Sequence, residues 1–262
     1  MKIATYNVWY PNIDIRAKQL IETINSTDAD IIGLQEVPPG FYNERVADLN
    51  YPHHFYTSYY EECGLALLSK YPFVEQHSLY GSQELSSIAH SVIVEIEGVR
   101  FSVTNVHLPW DSVLAKETQI VAINKYIHAQ EDSAHFFILL GDFNCTLSSS
   151  VHHFLLGDQS LLGCEANPYW NDLASVHAEL NGYHVAPTLD FVNNPRWKGK
   201  NTNYVPDVCD RIYIMESFCW DNEFRLLDVA VFGKEVSLDT GYAPSDHYGV
   251  LAEVEFTVKA KI

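Results

Sequence analysis

Basic residues are scarce in this chain: 16 Lys and Arg stand against 34 Asp and Glu, a formal net charge of −18 at pH 7. Duplex nucleic acid is gripped largely by cations that neutralise phosphates, so tight, nonspecific DNA binding is disfavoured. An enzyme that touches a few phosphates locally is not excluded, because a bound metal cation supplies positive charge where it is needed. Cysteine is sparse as well. Cys63, Cys145, Cys164, Cys209 and Cys219 are odd in number, scattered and never spaced C-x-x-C, which argues against a disulfide framework or a zinc knuckle. Most of them read as buried thiols. No apolar run has the length of a membrane helix, and the opening MKIATYNVWY lacks a signal-peptide core, so the expected location is cytoplasmic. No repeat, low-complexity tract or Pro/Gly/Ser linker divides the 262 residues, and one domain over 1–262 is expected.

What is present is an ample core composition, 47% hydrophobic and 19% charged. Runs rich in β-branched and aromatic residues predict strands over 2–8, 31–35, 65–68, 90–96, 101–106, 136–140, 211–215, 226–232 and 249–256. Ile13, Ala17, Leu20 and Ile24 recur at helical spacing, and so do Val113, Ile120, Ile123 and Ile127. Strands outnumber helices and some follow one another directly, as around the Glu97 and Gly98 turn, so mixed sheets covered by helices are expected rather than an alternating parallel sheet. The stretch 157–209 is the least regular and reads as a substrate-side loop.

Chemically capable residues fall repeatedly at the ends of these strands. Asn7, Glu36, His107, Asp142, Asn144, Asp210, Asp246 and His247 all sit there, where a sheet rim can gather them while the apolar runs are buried. Any one of them alone is an ordinary turn former or cap; eight together carry a chemical pattern. Carboxylates and amides are hard oxygen donors suited to magnesium (Mg2+), with manganese (Mn2+) as a substitute, and a compact His/Cys cluster for zinc is missing. Glu36, helped by Asn7 or Asp246, suffices for such an ion. The histidines supply a proton near neutral pH. Neighbours in an extended segment point to opposite faces, so Asp246 is badly placed to orient His247, and Asp210 is the better partner.

In order along the chain, TYNVW with Asn7, LQEV with Glu36, NVHL with His107, GDFN with Asp142 and Asn144, CDRIYI with Asp210 and PSDHYG with Asp246 and His247 resemble the motifs of the endonuclease/exonuclease/phosphatase superfamily. GLALLSKYPF, Gly64 to Phe73, looks like the family's central strand. The resemblance implies a four-layer α/β sandwich, two mixed β-sheets packed face to face and flanked by helices. It implies phosphoester hydrolysis by in-line attack of water. Glu36 would be the main metal ligand with Asn7 nearby, and Asp246 would share in metal or water binding. Asp142 would orient the water, Asn144 and His107 would hold phosphate oxygens, and His247 with Asp210 would stabilise the transition state. TYNVWY, LQEVPPGFY and CDRIYI look most like the 5′-tyrosyl-DNA phosphodiesterase branch, a DNA-repair activity on nucleic-acid ends. Trp9 departs from that branch, some members of which carry Asp there.

In the irregular stretch, Arg196, Lys198 and Lys200 flank Trp197, and this basic and aromatic cluster offers a phosphate grip or a stacking platform; a solvated loop is the plain alternative. Trp9, Tyr42, Trp110 and Tyr204 lie beside motif residues, where they offer an apolar pocket for a leaving group such as a tyrosyl ring, and core packing is the expected account for most. His53, His54, His152 and His153 read as surface residues without a metal role, and Ser245 as a local hydrogen-bonding turn residue. The leading expectation is a phosphodiesterase acting on nucleic-acid ends, with no membrane span and no obligate protein partner. The acidic balance favours a second, a phosphatase or sphingomyelinase-type phospholipase on a small phosphate or lipid headgroup. A non-catalytic binding module on the same fold is the alternative of another class.

Overall fold

The computed structural model describes residues 1–59, 62–79, 89–200, 203–215 and 222–258. Among them twelve strands run in chain order: β1 Lys2–Asn7, β2 Ile31–Val37, β3 His53–Ser58, β4 Gly64–Ser69, β5 Phe73–Leu79, β6 Ala89–Ile96, β7 Val99–His107, β8 Phe136–Asp142, β9 Trp170–Asp172, β10 Asp210–Met215, β11 Asn222–Phe232 and β12 Gly249–Val258. The α-helices are α1 Ile13–Ser26, α2 Pro39–Arg45, α3 Val113–His128, α4 Ser150–Leu155 and α5 Leu173–Asn181. One six-stranded sheet has the order β11, β12, β1, β2, β4, β3, the other β5, β6, β7, β8, β10, β9. Each is mixed: β1 runs parallel to β2 and β7 parallel to β8, with α1 and α3 as the intervening helices. Parallel neighbours need such a crossover, which is why the helices fall where they do.

The period-two alternation of the strands makes the layers. Ile3, Ile31, Val103, Ile138, Leu140 and Ile212 meet in a cluster drawn from both sheets. The residues between them face outward, Ala4 and Ile32 under α1, Leu139 and Tyr213 under α3. α1 buries Ile13, Ala17, Leu20 and Ile24 as its spacing required. α3 buries Ile120, Ile123 and Ile127 but leaves Val113, at its first position, exposed. Glu97 and Gly98, both at positive φ, close the tight β6–β7 hairpin with Ile96 opposite Val99.

Three strands without a predicted counterpart, β3, β5 and β9, are sheet edges. An edge strand is paired on one side only and faces water along much of its length, so it needs no continuous apolar run. The stretch 157–209 is not wholly irregular: β9 leads into α5, which Asp172 caps through Ser175 N at 3.3 Å. Among the described residues no helix is long and apolar enough to cross a membrane. Cys63, Cys145 and Cys209 are buried and Cys164 half-buried, all as free thiols, while Cys219 lies outside the described residues.

His152 corrects a surface expectation. It lies on the inner side of α4, 3% exposed, with Nδ1 2.9 Å from the Tyr213 hydroxyl. His90 on β6 is fully buried. Burial holds the His90 imidazole down to about 3, and burial together with the Arg211 charge holds His152 down to about 4. Unfolded, each takes up a proton near pH 6.5. The unfolded chain therefore binds more protons below that pH, so the stability due to neutral burial is whole above it and is lost as pH falls toward the folded values. We expect urea midpoints to decline on acidification, and His90→Gln to reduce the slope by up to about 1.4 kcal/mol per pH unit. Parallel curves for the two proteins would refute the assignment.

Candidate active site

Strand parity and register bring the motif residues to one rim. Asn7, His107, Asp142 and Asp210 continue the inward-facing series of β1, β7, β8 and β10 beyond the last apolar residue. His107 is opposite Asp142 across the β7–β8 pair, and Asp142 is opposite Asp210 across β8–β10, so the three form a row over adjacent strands. β12 runs antiparallel to β1, which places the segment just before Gly249, with Asp246 and His247, beside the end of β1.

Glu36 breaks the alternation. Following Ile32 and Leu34 it would face outward, but the β2–β4 register shifts between Leu34 and Val37 and Glu36 sits at φ 56°. The bulge turns its carboxylate to the rim, a role bulges play beside functional sites. Glu36 Oε1 accepts a hydrogen bond from Asn7 Nδ2 at 3.1 Å, and Oε2 accepts from Tyr10 N at 3.2 Å. Gly141, at φ 144°, lets β8 approach β7: a Cβ there would lie 2.0 Å from the Val106 carbonyl oxygen, next to Asp142.

Asp142 Oδ2 is the centre of the arrangement. It accepts from Asn7 Nδ2 at 3.0 Å, with His107 Nε2 at 3.6 Å and His247 Nε2 at 3.9 Å. Its Oδ1 accepts from Asn144 N at 2.8 Å, and Asn144, at φ 48°, donates its amide to the Leu108 carbonyl at 2.9 Å. His107 Nδ1 is tied to the Tyr59 hydroxyl at 2.7 Å, which directs Nε2 inward. Asn7 donates to both carboxylates while its Oδ1 accepts from Trp9 N at 2.9 Å. It therefore spaces the Glu36 and Asp142 carboxylates.

His247 Nδ1 is 2.9 Å from Asp210 Oδ2, the partner expected in place of Asp246. Burial pushes the Asp210 carboxyl upward against the pull of His247. Burial also opposes a charged His247, but the Asp210 and Asp142 carboxylates outweigh it and hold the imidazole well above its ordinary value. The two carboxylates that face the ring thus favour its protonated form. Burial likewise raises the Asp246 carboxyl to about 6, helped by Glu36 and opposed by His247 and Arg16.

The donor chemistry fits a hard cation. Asp210 Oδ1 and Asp246 Oδ1 are buried without a hydrogen-bond partner among the described residues, a costly state for a carboxylate. Asp142, Asp210 and His247 form the group with ligand atoms within 4.8 Å of one another. His247 and Asp210 already bond each other, and the Glu36 and Asp246 carboxylates are further oxygen donors of the kind a hard cation takes.

Several contributors escaped the sequence reading. Beneath the rim Gln35 Nε2 donates to Thr5 Oγ1 at 3.0 Å and Asn105 Oδ1 at 2.7 Å, and Asn105 Nδ2 donates to the Leu34 and Ala66 carbonyls, stitching the two sheets below the carboxylates. Their strand parity with Asn7 and His107 was the available signal. Tyr59 had none. Trp110 is 79% exposed and Tyr204 is also exposed, against the core-packing expectation, whereas Tyr42 stacks on Tyr56. Trp9 lies between the Arg16 and Arg196 guanidiniums, 5.0 and 4.9 Å from its ring centre. Lys198 and Lys200 are exposed, with Lys200 Nζ 4.4 Å from the centre of the Trp197 ring. Trp197 gives its indole N–H to the Asp246 carbonyl at 3.1 Å.

Two mixed sheets between helices, with carboxylates and paired imidazoles at one rim, define an α/β sandwich of the metal-dependent phosphoesterase class. The chain belongs to the Endonuclease/Exonuclease/phosphatase family, whose pattern matches residues 4–247. Solved structures of similar fold include D. rerio TDP2 complexed with single-strand DNA product, at 20% identity over 97% of this chain and 98% of that one, TM-score 0.76. A functionally unknown conserved protein from Enterococcus faecalis is 22% identical over 97% and 99%, TM-score 0.75. A Bacteroides thetaiotaomicron mannosyl-6-phosphatase is 16% identical over 98% and 100%, TM-score 0.75. At such identities the likeness is one of fold. No curated protein sequence matches the chain.

Proposed function

We propose that the chain hydrolyses a small phosphoester with Mg2+ held by Glu36 and Asp246. The observation that carries this reading is Asp142 Oδ2, fixed by Asn7 and facing the Nε2 atoms of both His107 and His247. A carboxylate so placed orients a water molecule for in-line attack and accepts its proton as the bond from phosphorus to the leaving oxygen breaks, that oxygen taking up a proton from solvent. His247, protonated and backed by Asp210, donates to a phosphoryl oxygen as negative charge grows there, and His107 with Asn144 holds the others. The cation, when bound, neutralises charge on the phosphoryl group.

The substrate class is supported by the neighbouring cavity of about 320 Å³, lined among the described residues by Glu36, His107, Tyr10, Tyr59, Glu62, Trp110 and Asp111 and by no Lys or Arg. Aromatic walls with carboxylate acceptors suit an uncharged, hydroxyl-bearing leaving group such as a sugar, and Glu62 and Asp111 repel further phosphates. The similarity in fold to a mannosyl-6-phosphatase supports this reading. The second reading, nucleic-acid ends such as 5′-tyrosyl-DNA, is supported by the same aromatic walls, which suit a tyrosyl ring, and by the likeness to TDP2.

The test is a panel of mannose 6-phosphate, 5′-tyrosyl oligonucleotide, inositol phosphate and sphingomyelin, each with Mg2+ and with excess chelator. We expect chelator-sensitive turnover, with the sugar phosphate ahead in kcat/KM. Preference for the oligonucleotide would favour the second reading, and absence of metal-dependent turnover on every member would refute both.

A further inference from the structure

The segment 243–247 reaches the rim as irregular chain, ahead of the ladder that starts at Gly249. It is buried from 243 to 247, so its carbonyls need donors that strand pairing does not supply. Side chains supply them in succession. Arg196 Nε donates to Ala243 O at 2.7 Å, Arg16 Nη1 to Pro244 O, Asn194 Nδ2 to Ser245 O at 3.0 Å and Trp197 Nε1 to Asp246 O at 3.1 Å. Three of these four donors lie within 194–197.

Thr188, fully buried, completes the set from the other end of the same stretch. Its carbonyl accepts Tyr248 N at 2.7 Å, and its Oγ1 accepts Cys209 N at 3.0 Å and Asp210 N at 3.1 Å. One threonine thus bonds the backbone of Asp210 and the residue after His247. Between Thr188 and Asn194 the chain is braced on itself: Asp190 Oδ1 accepts Val192 N and Asn193 N at 3.0 and 2.9 Å, and Asp190 O accepts Asn194 N at 3.1 Å.

We infer that residues 188–197 form the positioning frame of the Asp210–His247 pair, with Thr188 and Trp197 as positioning residues. Trp197 then acts through the Asp246 backbone rather than as a contact to substrate. A proton donor that must meet a developing charge loses rate steeply with displacement, about 10²-fold for 1 Å, so the frame governs kcat more than binding.

The kinetic arm rests on the hydrolase reading above; the spectroscopic arm does not. Trp197→Phe keeps an aromatic ring but loses the pyrrole half of the indole with its N–H, Thr188→Val deletes the acceptor at nearly constant volume, and Thr188→Ser restores it. With p-nitrophenyl phosphate and Mg2+ we expect both deletions to lower kcat about tenfold or more with KM within about twofold, and Thr188→Ser to recover most of the loss. In ¹⁵N-histidine-labelled protein we expect the His247 Nδ1–H resonance to move and exchange faster in both deletion variants. If the wild type turns over no substrate, the function reading fails and the resonance decides alone. Should Thr188→Val not fold, Trp197→Phe carries the test. An increased KM at unchanged kcat, or wild-type kcat with an unmoved resonance, would overturn the inference.

Discussion

His247→Gln is expected to lower kcat by about 10³-fold, equivalent to about 4 kcal/mol of transition-state stabilisation. The size follows from what the side chain holds. His247 is the imidazole bonded to Asp210 at 2.9 Å and turned by its other nitrogen toward Asp142 Oδ2. Glutamine can still give Asp210 an N–H but cannot carry a proton as a cation, so charge growing on a phosphoryl oxygen finds a neutral donor in place of an imidazolium. His247→Ala goes further and strands the Asp210 carboxyl, already pushed upward by burial, without its partner. The alanine variant should therefore lose stability as well as rate, and the glutamine variant mainly rate. Steady-state kinetics beside urea unfolding separate the two. A glutamine variant with wild-type kcat would remove His247 from the chemistry.

The second large effect is expected at Glu36. Glu36→Gln keeps the length of the side chain and an oxygen for the Asn7 amide, but removes the charge that the bulge in β2 aims at the rim. Mg2+ takes only one or two protein carboxylates, so losing one of two leaves Asp246 as the remaining charged oxygen donor. We expect turnover at limiting Mg2+ to fall by about 10³-fold and the half-saturating Mg2+ concentration to rise. A Mg2+ titration of both proteins gives the answer, and superimposable curves would exclude Glu36 as a ligand.

Much of this site was legible without coordinates because it is written in residue chemistry at the ends of apolar runs. Asn7, His107, Asp142 and Asp210 close or open strands whose parity continues onto them. The pairing of His247 with Asp210 followed from the opposite facing of neighbours in extended chain, and it holds at 2.9 Å. Less was visible where the deciding contact lies far along the chain. The stretch 157–209 looked like a substrate loop because its donors and acceptors serve no local ladder. They serve segments tens of residues away, as Asn194 does for Ser245 and Thr188 for Asp210. Lys198 and Lys200 drew notice for their charge, while the uncharged Thr188 drew none.

The chain by itself determined the strands that carry continuous apolar runs, the two helices with a clear apolar stripe and the order of the polar motifs. Those properties depend on periodicity and side-chain chemistry within a few residues, which any window of sequence displays. Only the tertiary structure decided that Asn7 donates to Asp142 across 135 residues, that a bulge turns Glu36 inward and that Trp197 latches a carbonyl. Register and bulges are set by which strands become neighbours and how both sheets fill their shared core, a balance of many distant contacts that no local pattern encodes.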